Sequence, residues 1–391
     1  MNNAALTRLI TGQVCLHACM AGTRLAAPLL ALKNGYSPAA VGVLLALFAL
    51  AQVFLALPAG RFADRHGLKR PVGFSVVAAT TGAGLAVVFP VFPVLCLAAL
   101  LTGGATGAAV IALQRHVGRA AVGTSQLKKV FSLLSIGPAV SNFLGPFCAG
   151  LLIDHAGAGA GDLTGYRAAF LLMAVLPLLS WYWVRQTEEL APVVHAPGAK
   201  PGRAWDLLAE PMFRRLMIVS WLVSSCWDVH TFVVPLMGHE RGLSASVIGS
   251  ILGAFAIAAA AIRIVMPLVS DRLSESVVLT VAMVSAALIY AVYPFMHVAL
   301  AMGLCSVLLG FALGTVQPMI MSMLHQITPG HRHGEALGLR LMVINGSSVA
   351  MPMLFGLAGA LIGVGGVFWV VGAAVGAGAK TAWGLTACRT P

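Results

Sequence analysis

Apolar runs long enough to cross a bilayer recur along the whole chain. They lie near residues 7–31, 39–60, 71–92, 94–114, 130–153, 167–185, 215–237, 246–269, 276–296, 298–325, 336–362 and 365–385. An α-helix needs about 20 apolar residues to traverse hydrocarbon roughly 30 Å thick. Within lipid each backbone N–H and C=O must bond inside its own segment, which leaves the helix as the economical solution. The runs predict an all-α membrane protein with twelve transmembrane helices. Only 9% of residues are charged, against about 25% in soluble domains, too few to coat a water-facing surface of this size. Pro90 and Pro93 mark a turn between the third and fourth spans, because proline suits a helix end better than its interior.

The net charge of +12 raises the question of nucleic acid, and its distribution answers it. With the N-terminus in the cytoplasm, 19 of the 24 basic residues fall in cytoplasmic segments and the outer loops hold Lys33, Arg167 and Arg241. That is the positive-inside pattern of an inner-membrane protein with both termini cytoplasmic. The basic balance reports topology and no nucleic-acid partner is expected. The first apolar run continues past Ala27 and carries Arg24, so it reads as a retained helix and not as a signal peptide.

Two similar halves are expected. Asp64-Arg65 recurs as Asp271-Arg272 at a shift of 207, and Pro146 and Gly150 recur as Pro352 and Gly356 at a shift of 206. The split gives an N-terminal six-helix bundle over 1–187, a Pro- and Gly-containing cytoplasmic linker over 188–213, and a C-terminal six-helix bundle over 214–391.

The loop after the second span reads Gly60-Arg61-Phe62-Ala63-Asp64-Arg65-His66-Gly67-Leu68-Lys69-Arg70. Gly60 permits a close helix approach and Gly67 a turn. Asp64 is suited to a helix N-terminus and to Arg65 or another nearby arginine. Lys69 and Arg70 suit anionic headgroups. This loop resembles the signature G-x-x-x-D-R-x-G-x-K/R-R of the major facilitator superfamily. The resemblance implies two pseudo-symmetric six-helix bundles, alternating access, and a conformational latch built from Gly60, Asp64, Arg65, Gly67, Lys69 and Arg70. Asp271 and Arg272 would form its degenerate second copy.

The fifth span carries Gly137-Pro138, Asn142, Gly145-Pro146 and Gly150. It is similar to the fifth-helix motif of antiporters in that superfamily, which implies kinking, tight packing across the halves, and export. One departure stands out: the fourth span, Leu101 to Gly107, lacks the arginine that proton-antiporting exporters of the family often carry.

Charge inside a span is costly, so each instance is a candidate for function. Gln13, His17 and Arg24 share one face of the first helix. Asp228 is the carboxylate well inside a span, on a face with Trp221, Ser224 and Thr231 and next to Trp227. The 207 shift maps it onto Ala21, one turn from Arg24, so the two charges are expected near each other. Arg263 in the eighth span suits a carboxylate. Arg24, Asp228, Arg263, His17, Trp227 and Gln317 form the expected substrate site, and Asp228 the expected proton-coupling acid. Arg340 reads as interfacial.

The seven cysteines form no C-x-x-C pair, and His325, His331 and His333 read as isolated surface histidines. No metal and no cofactor are expected. There is no Walker sequence, so ATP is not the energy source within this chain. These features point to a monomeric secondary transporter in a lipid bilayer and not to an enzyme. The partners are a small organic solute and protons, and two intramembrane arginines favour an anionic or zwitterionic solute. Proton-coupled efflux is the leading reading. Uptake of a carboxylate is the alternative, with a membrane sensor or membrane enzyme further behind.

Overall fold

The computed structural model describes residues 3–157, 162–190, 204–243, 245–269 and 274–385. Among them the only regular structure is helical. The first four spans are α1 (Asn3–Lys33), α2 (Pro38–His66), α3 (Lys69–Val88) and α4 (Phe92–Ala120). Ser37 caps α2 by accepting from the Ala40 amide, one of the orphan donors of a helix start.

The fifth span is two helices, α5 (Gly123–Leu134) and α6 (Ile136–His155). Proline explains the break. Pro138 has no N–H to offer the Leu134 carbonyl four residues back, so the ladder stops there. The sixth span is α7 (Leu163–Val184), capped by Asp162. The next three are α8 (Pro211–Glu240), α9 (Ala245–Val269) and α10 (Glu275–Val292). The tenth span is again broken, into α11 (Ala299–Gly314) and α12 (Val316–Ile327). Here Pro318 withholds the N–H that would meet the Gly314 carbonyl.

Spans eleven and twelve follow one another in α13 (His333–Trp383), divided at Gly363, whose φ of 76° and ψ of 161° are not helical. A positive φ costs glycine nothing and a β-branched residue a great deal. Eleven segments among the described residues are long and apolar enough to cross a membrane. The arm of α13 before Gly363 is helical as well and coincides with the eleventh apolar run of the sequence.

Contacts divide the chain into two units. The first comprises 1–121, 137–201 and 329–345, and the second 122–136, 202–328 and 346–391. In this division α5 belongs with the second unit and the opening turns of α13 with the first. The two exchanged segments start 207 residues apart, which is the shift of the internal repeat. In the first unit α2 and α3 pack on α4, and α1 and α3 on α7. In the second, α9 packs on α11, and α5 packs on α9 and α12. Lipid gives helices no hydrophobic reason to associate, so close van der Waals packing through small residues must supply it. Gly103 on α4 is an instance, since a Cβ there would overlap the Phe48 backbone of α2.

Candidate transport site and latch

In the first unit the end of α2 meets the start of α13 backbone to backbone. A Cβ on Gly60 would overlap the Gly334 carbonyl, and a Cβ on Gly334 would overlap that of Gly60. Gly338, one turn on, lies equally close to Ala56. This approach delivers the Asp64 carboxylate to the α13 N-terminus. Oδ1 accepts from the Gly334 amide at 2.9 Å and Oδ2 from the Glu335 amide at 3.0 Å. Two orphan donors are thereby satisfied, and the negative charge faces the positive end of the helix dipole.

The guanidinium beside Asp64 is that of Arg115, not Arg65. Arg115 Nε donates to Oδ1 at 2.6 Å, and its Nη2 reaches the Asp64 carbonyl at 3.2 Å. Arg115 is buried and Arg65 is exposed. Glu335 continues the network, accepting from Arg61 and from Arg332, each at 2.8 Å. At the other end of the loop, Glu189 accepts from the Leu68 and Lys69 amides and so caps α3. Gly67 turns the chain there with φ 75°, and a Cβ on it would overlap the Glu189 carboxylate. The Lys69 side chain is half-exposed and Arg70 is exposed. Asp271 and Arg272, expected as the second copy, lie outside the described residues.

Arg115, Glu189, Arg332, Gly334 and Glu335 are members that sequence reasoning did not single out. Glu189 looks like ordinary linker charge. Arg115 looks like positive-inside charge, although its place just past the fourth apolar run was a signal that it could turn back toward the loop.

The fifth-helix motif packs against α1, within the first unit. A Cβ on Gly145 would overlap the Ala18 carbonyl, and Gly137 sits against the Gln13 side chain. Pro138 opens α6 instead of kinking it. Pro146 lies inside α6. Gly150 is the motif member with space, its nearest neighbour being Leu25 at 4.0 Å from a Cβ placed there.

On α1, Gln13 is buried and His17 half-buried. His17 lies beside Asn142 and within electrostatic reach of Arg24. Gln13 Oε1 and His17 Nδ1 are buried with no hydrogen-bond partner. Arg24, two turns on from His17, is exposed and makes no hydrogen bond or ion pair among the described residues.

In the second unit, Trp221, Ser224, Asp228 and Thr231 occupy the exposed and half-buried face of α8. Asp228 Oδ1 accepts from Ser348 Oγ at 3.2 Å, and Oδ2 is buried without a partner. No ion pair to Asp228 occurs among the described residues. Its neighbour Trp227 packs edge-on against Phe255 at 4.6 Å and carries the Arg263 guanidinium over its ring at 5.8 Å. Arg263 is committed to backbone: Nε donates to the Gly314 carbonyl at 3.3 Å and Nη1 to that of Ser135 at 3.1 Å. Gln317 lies in the first turn of α12, half-buried. Arg24 belongs to the first unit and Asp228 to the second.

A second buried ion pair lies in the second unit. Lys128 on α5 sits 3.6 Å from Glu275 at the start of α10, with side chains 5% and 3% exposed. Ser322 and Gln326 also donate to that Glu275 oxygen.

Helices long and apolar enough to cross a membrane thus accompany a glycine-lined helix contact capped by a carboxylate. A family model described as Major Facilitator Superfamily matches residues 9–305 and again 216–386. The chain belongs to the major facilitator superfamily and is a transporter, not an enzyme. Solved structures agree on the fold. A bacterial homologue of the iron transporter ferroportin, in an outward-facing state, matches at TM-score 0.79 and 16% identity over 98% of this chain and 99% of that one. The human organic anion transporter MFSD10 matches at TM-score 0.77 and 15% identity over 98% and 100%. The superfamily transporter FucP, in the outward conformation, matches at TM-score 0.79 and 14% identity over 96% and 98%. A search of curated protein sequences gives no match.

Proposed function

We propose that this chain is a proton-coupled exporter of a small anionic or zwitterionic organic compound, working as a monomer in the cytoplasmic membrane with both termini in the cytoplasm. The observation that carries the coupling is Asp228. Its carboxyl lies on the open face of α8 with one hydroxyl donor and no ion pair among the described residues. It can change charge without breaking a salt bridge, which a proton-carrying acid must do and a structural ion pair cannot. Anion recognition falls first to Arg24, whose guanidinium is exposed and uncommitted. His17, Trp227 and Gln317 are assigned as flanking groups, and Arg263 as a cation close to the same face of α8. MFSD10, similar in fold at low identity, is an organic anion transporter. Export is favoured by the fifth-helix motif, whose Gly145 brings α6 against α1. The Asp64 cluster is assigned as the latch that holds one conformation.

Flux in proteoliposomes under an imposed pH gradient tests this, using a panel of organic anions, zwitterions and cations. Anions or zwitterions are expected to be driven against their gradient. Asp228→Asn should abolish the drive while sparing downhill exchange. Undiminished gradient-driven flux in Asp228→Asn would remove the acid from the mechanism, and drive confined to cations would overturn the anion assignment.

A further inference from the structure

Arg263 has a placement that substrate binding does not explain. Among the described residues two spans are broken by proline, at Leu134–Ser135 and at Gly314–Thr315, each with a proline three or four residues later. A proline break leaves carbonyls without donors, and an orphaned carbonyl within hydrocarbon is expensive. Arg263 Nε bonds the Gly314 carbonyl, which is the acceptor that Pro318 leaves bare. Its Nη1 bonds the Ser135 carbonyl at the other break. The contact is reciprocal, because Ser132 Oγ on α5 donates to the carbonyl of Arg263 at 2.5 Å. One side chain on α9 thus serves both breaks, and the Trp227 ring beneath it fixes the plane of the fork.

We propose that Arg263 is a positioning residue: a clasp that holds the two proline breaks at fixed angles and ties α5 and α12 to α9 as one block. α5 packs on both α9 and α12, so the clasp sets the orientation of these half-helices when the transporter changes conformation. The planar guanidinium is required. It presents N–H groups in two directions at once, which a lysine ammonium on a flexible stem cannot do with the same geometry. The clasp acts beside Asp228 through the adjacent Trp227 and needs no substrate contact. It stands independently of the proposed cargo.

Amide hydrogen exchange of the full chain in lipid nanodiscs, with no solute added, tests the clasp. In Arg263→Ala, the amides of Ser135, Ile136, Gly137 and Ala139 and those of Gly314, Thr315, Val316, Gln317 and Met319 should exchange faster together by about tenfold, as expected when a buried carbonyl loses its donor. Methylguanidinium in the buffer should restore slow exchange at both breaks and methylammonium should not. A merely destabilised fold would respond to neither. Arg263→Lys covers the case in which the alanine variant does not fold. It should accelerate exchange at one or both breaks, and wild-type exchange in this variant would overturn the proposal. So would an alanine variant that is unchanged at both breaks, or one that guanidinium does not rescue.

Discussion

Replacing Asp64 by asparagine keeps the shape of the α2–α13 junction and removes its charge. The carboxylate meets two amides at the helix start and one guanidinium, with the Asp64 and Arg115 side chains 7% and 3% exposed. Breaking a buried pair by removing one partner costs about 3–5 kcal/mol, and a helix cap is worth about 1 kcal/mol. Both contributions come from one carboxylate and do not add fully. A loss near 4 kcal/mol would lower the population of the closed junction by roughly a thousandfold. Because both groups are nearly inaccessible to solvent, salt screening offers little relief.

Amide exchange reads this directly at Gly334 and Glu335, whose N–H groups are the ones capped. A double-mutant cycle with Arg115→Met separates the ion pair from the cap. Asp64→Asn with Arg115→Met should cost about 2 kcal/mol less than the two single changes summed, because the double variant leaves no buried cation unpaired. Exchange at Gly334 and Glu335 within about twofold of wild type in Asp64→Asn would refute the reasoning. So would strict additivity in the cycle.

The fifth-helix glycines should behave unequally. Gly145→Ala forces a Cβ into the Ala18 carbonyl and should cost about 1–3 kcal/mol in thermal unfolding, whereas Gly150→Ala, with its nearest neighbour at 4.0 Å, should be close to neutral. Gly67→Ala should destabilise the α2–α3 turn through both its φ of 75° and the overlap with Glu189. Glu189→Ala should relieve only the overlap, so the double variant remains less stable than Glu189→Ala alone in the same melting assay. Lys128→Met should lower the melting temperature by stranding Glu275 in a buried site, and Lys128→Met with Glu275→Gln should recover part of the loss.

Hydropathy and proline positions were sufficient to read the spans, because a bilayer admits few solutions for an apolar run of that length. The Gly60–Arg70 loop was legible as a motif because its residue types stand at fixed local spacings, although the partners of Gly60 and Asp64 at the start of α13 lie 270 residues or more further along the chain. The repeat of 207 was legible too, and the two exchanged segments turned out to start that distance apart. Span counting misjudged continuity where local chemistry was subtle. It saw the run through Pro138 as one helix, although the missing N–H of that proline divides it at Ser135.

What the tertiary structure decided was partnership. Asp64 had Arg65 beside it in sequence, yet helix packing set Arg115 and the start of α13 against it, because side chains on successive residues of a helix point in different directions. Arg263 read as a cation awaiting an anion, and packing brought it to two carbonyls at the proline breaks, that of Gly314, which Pro318 leaves bare, and that of Ser135. Sequence determined which segments enter lipid and which charges they carry. Only the packed helices determined which of those charges were already spoken for, since a buried donor or acceptor is satisfied by whatever neighbour the fold supplies, however distant along the chain.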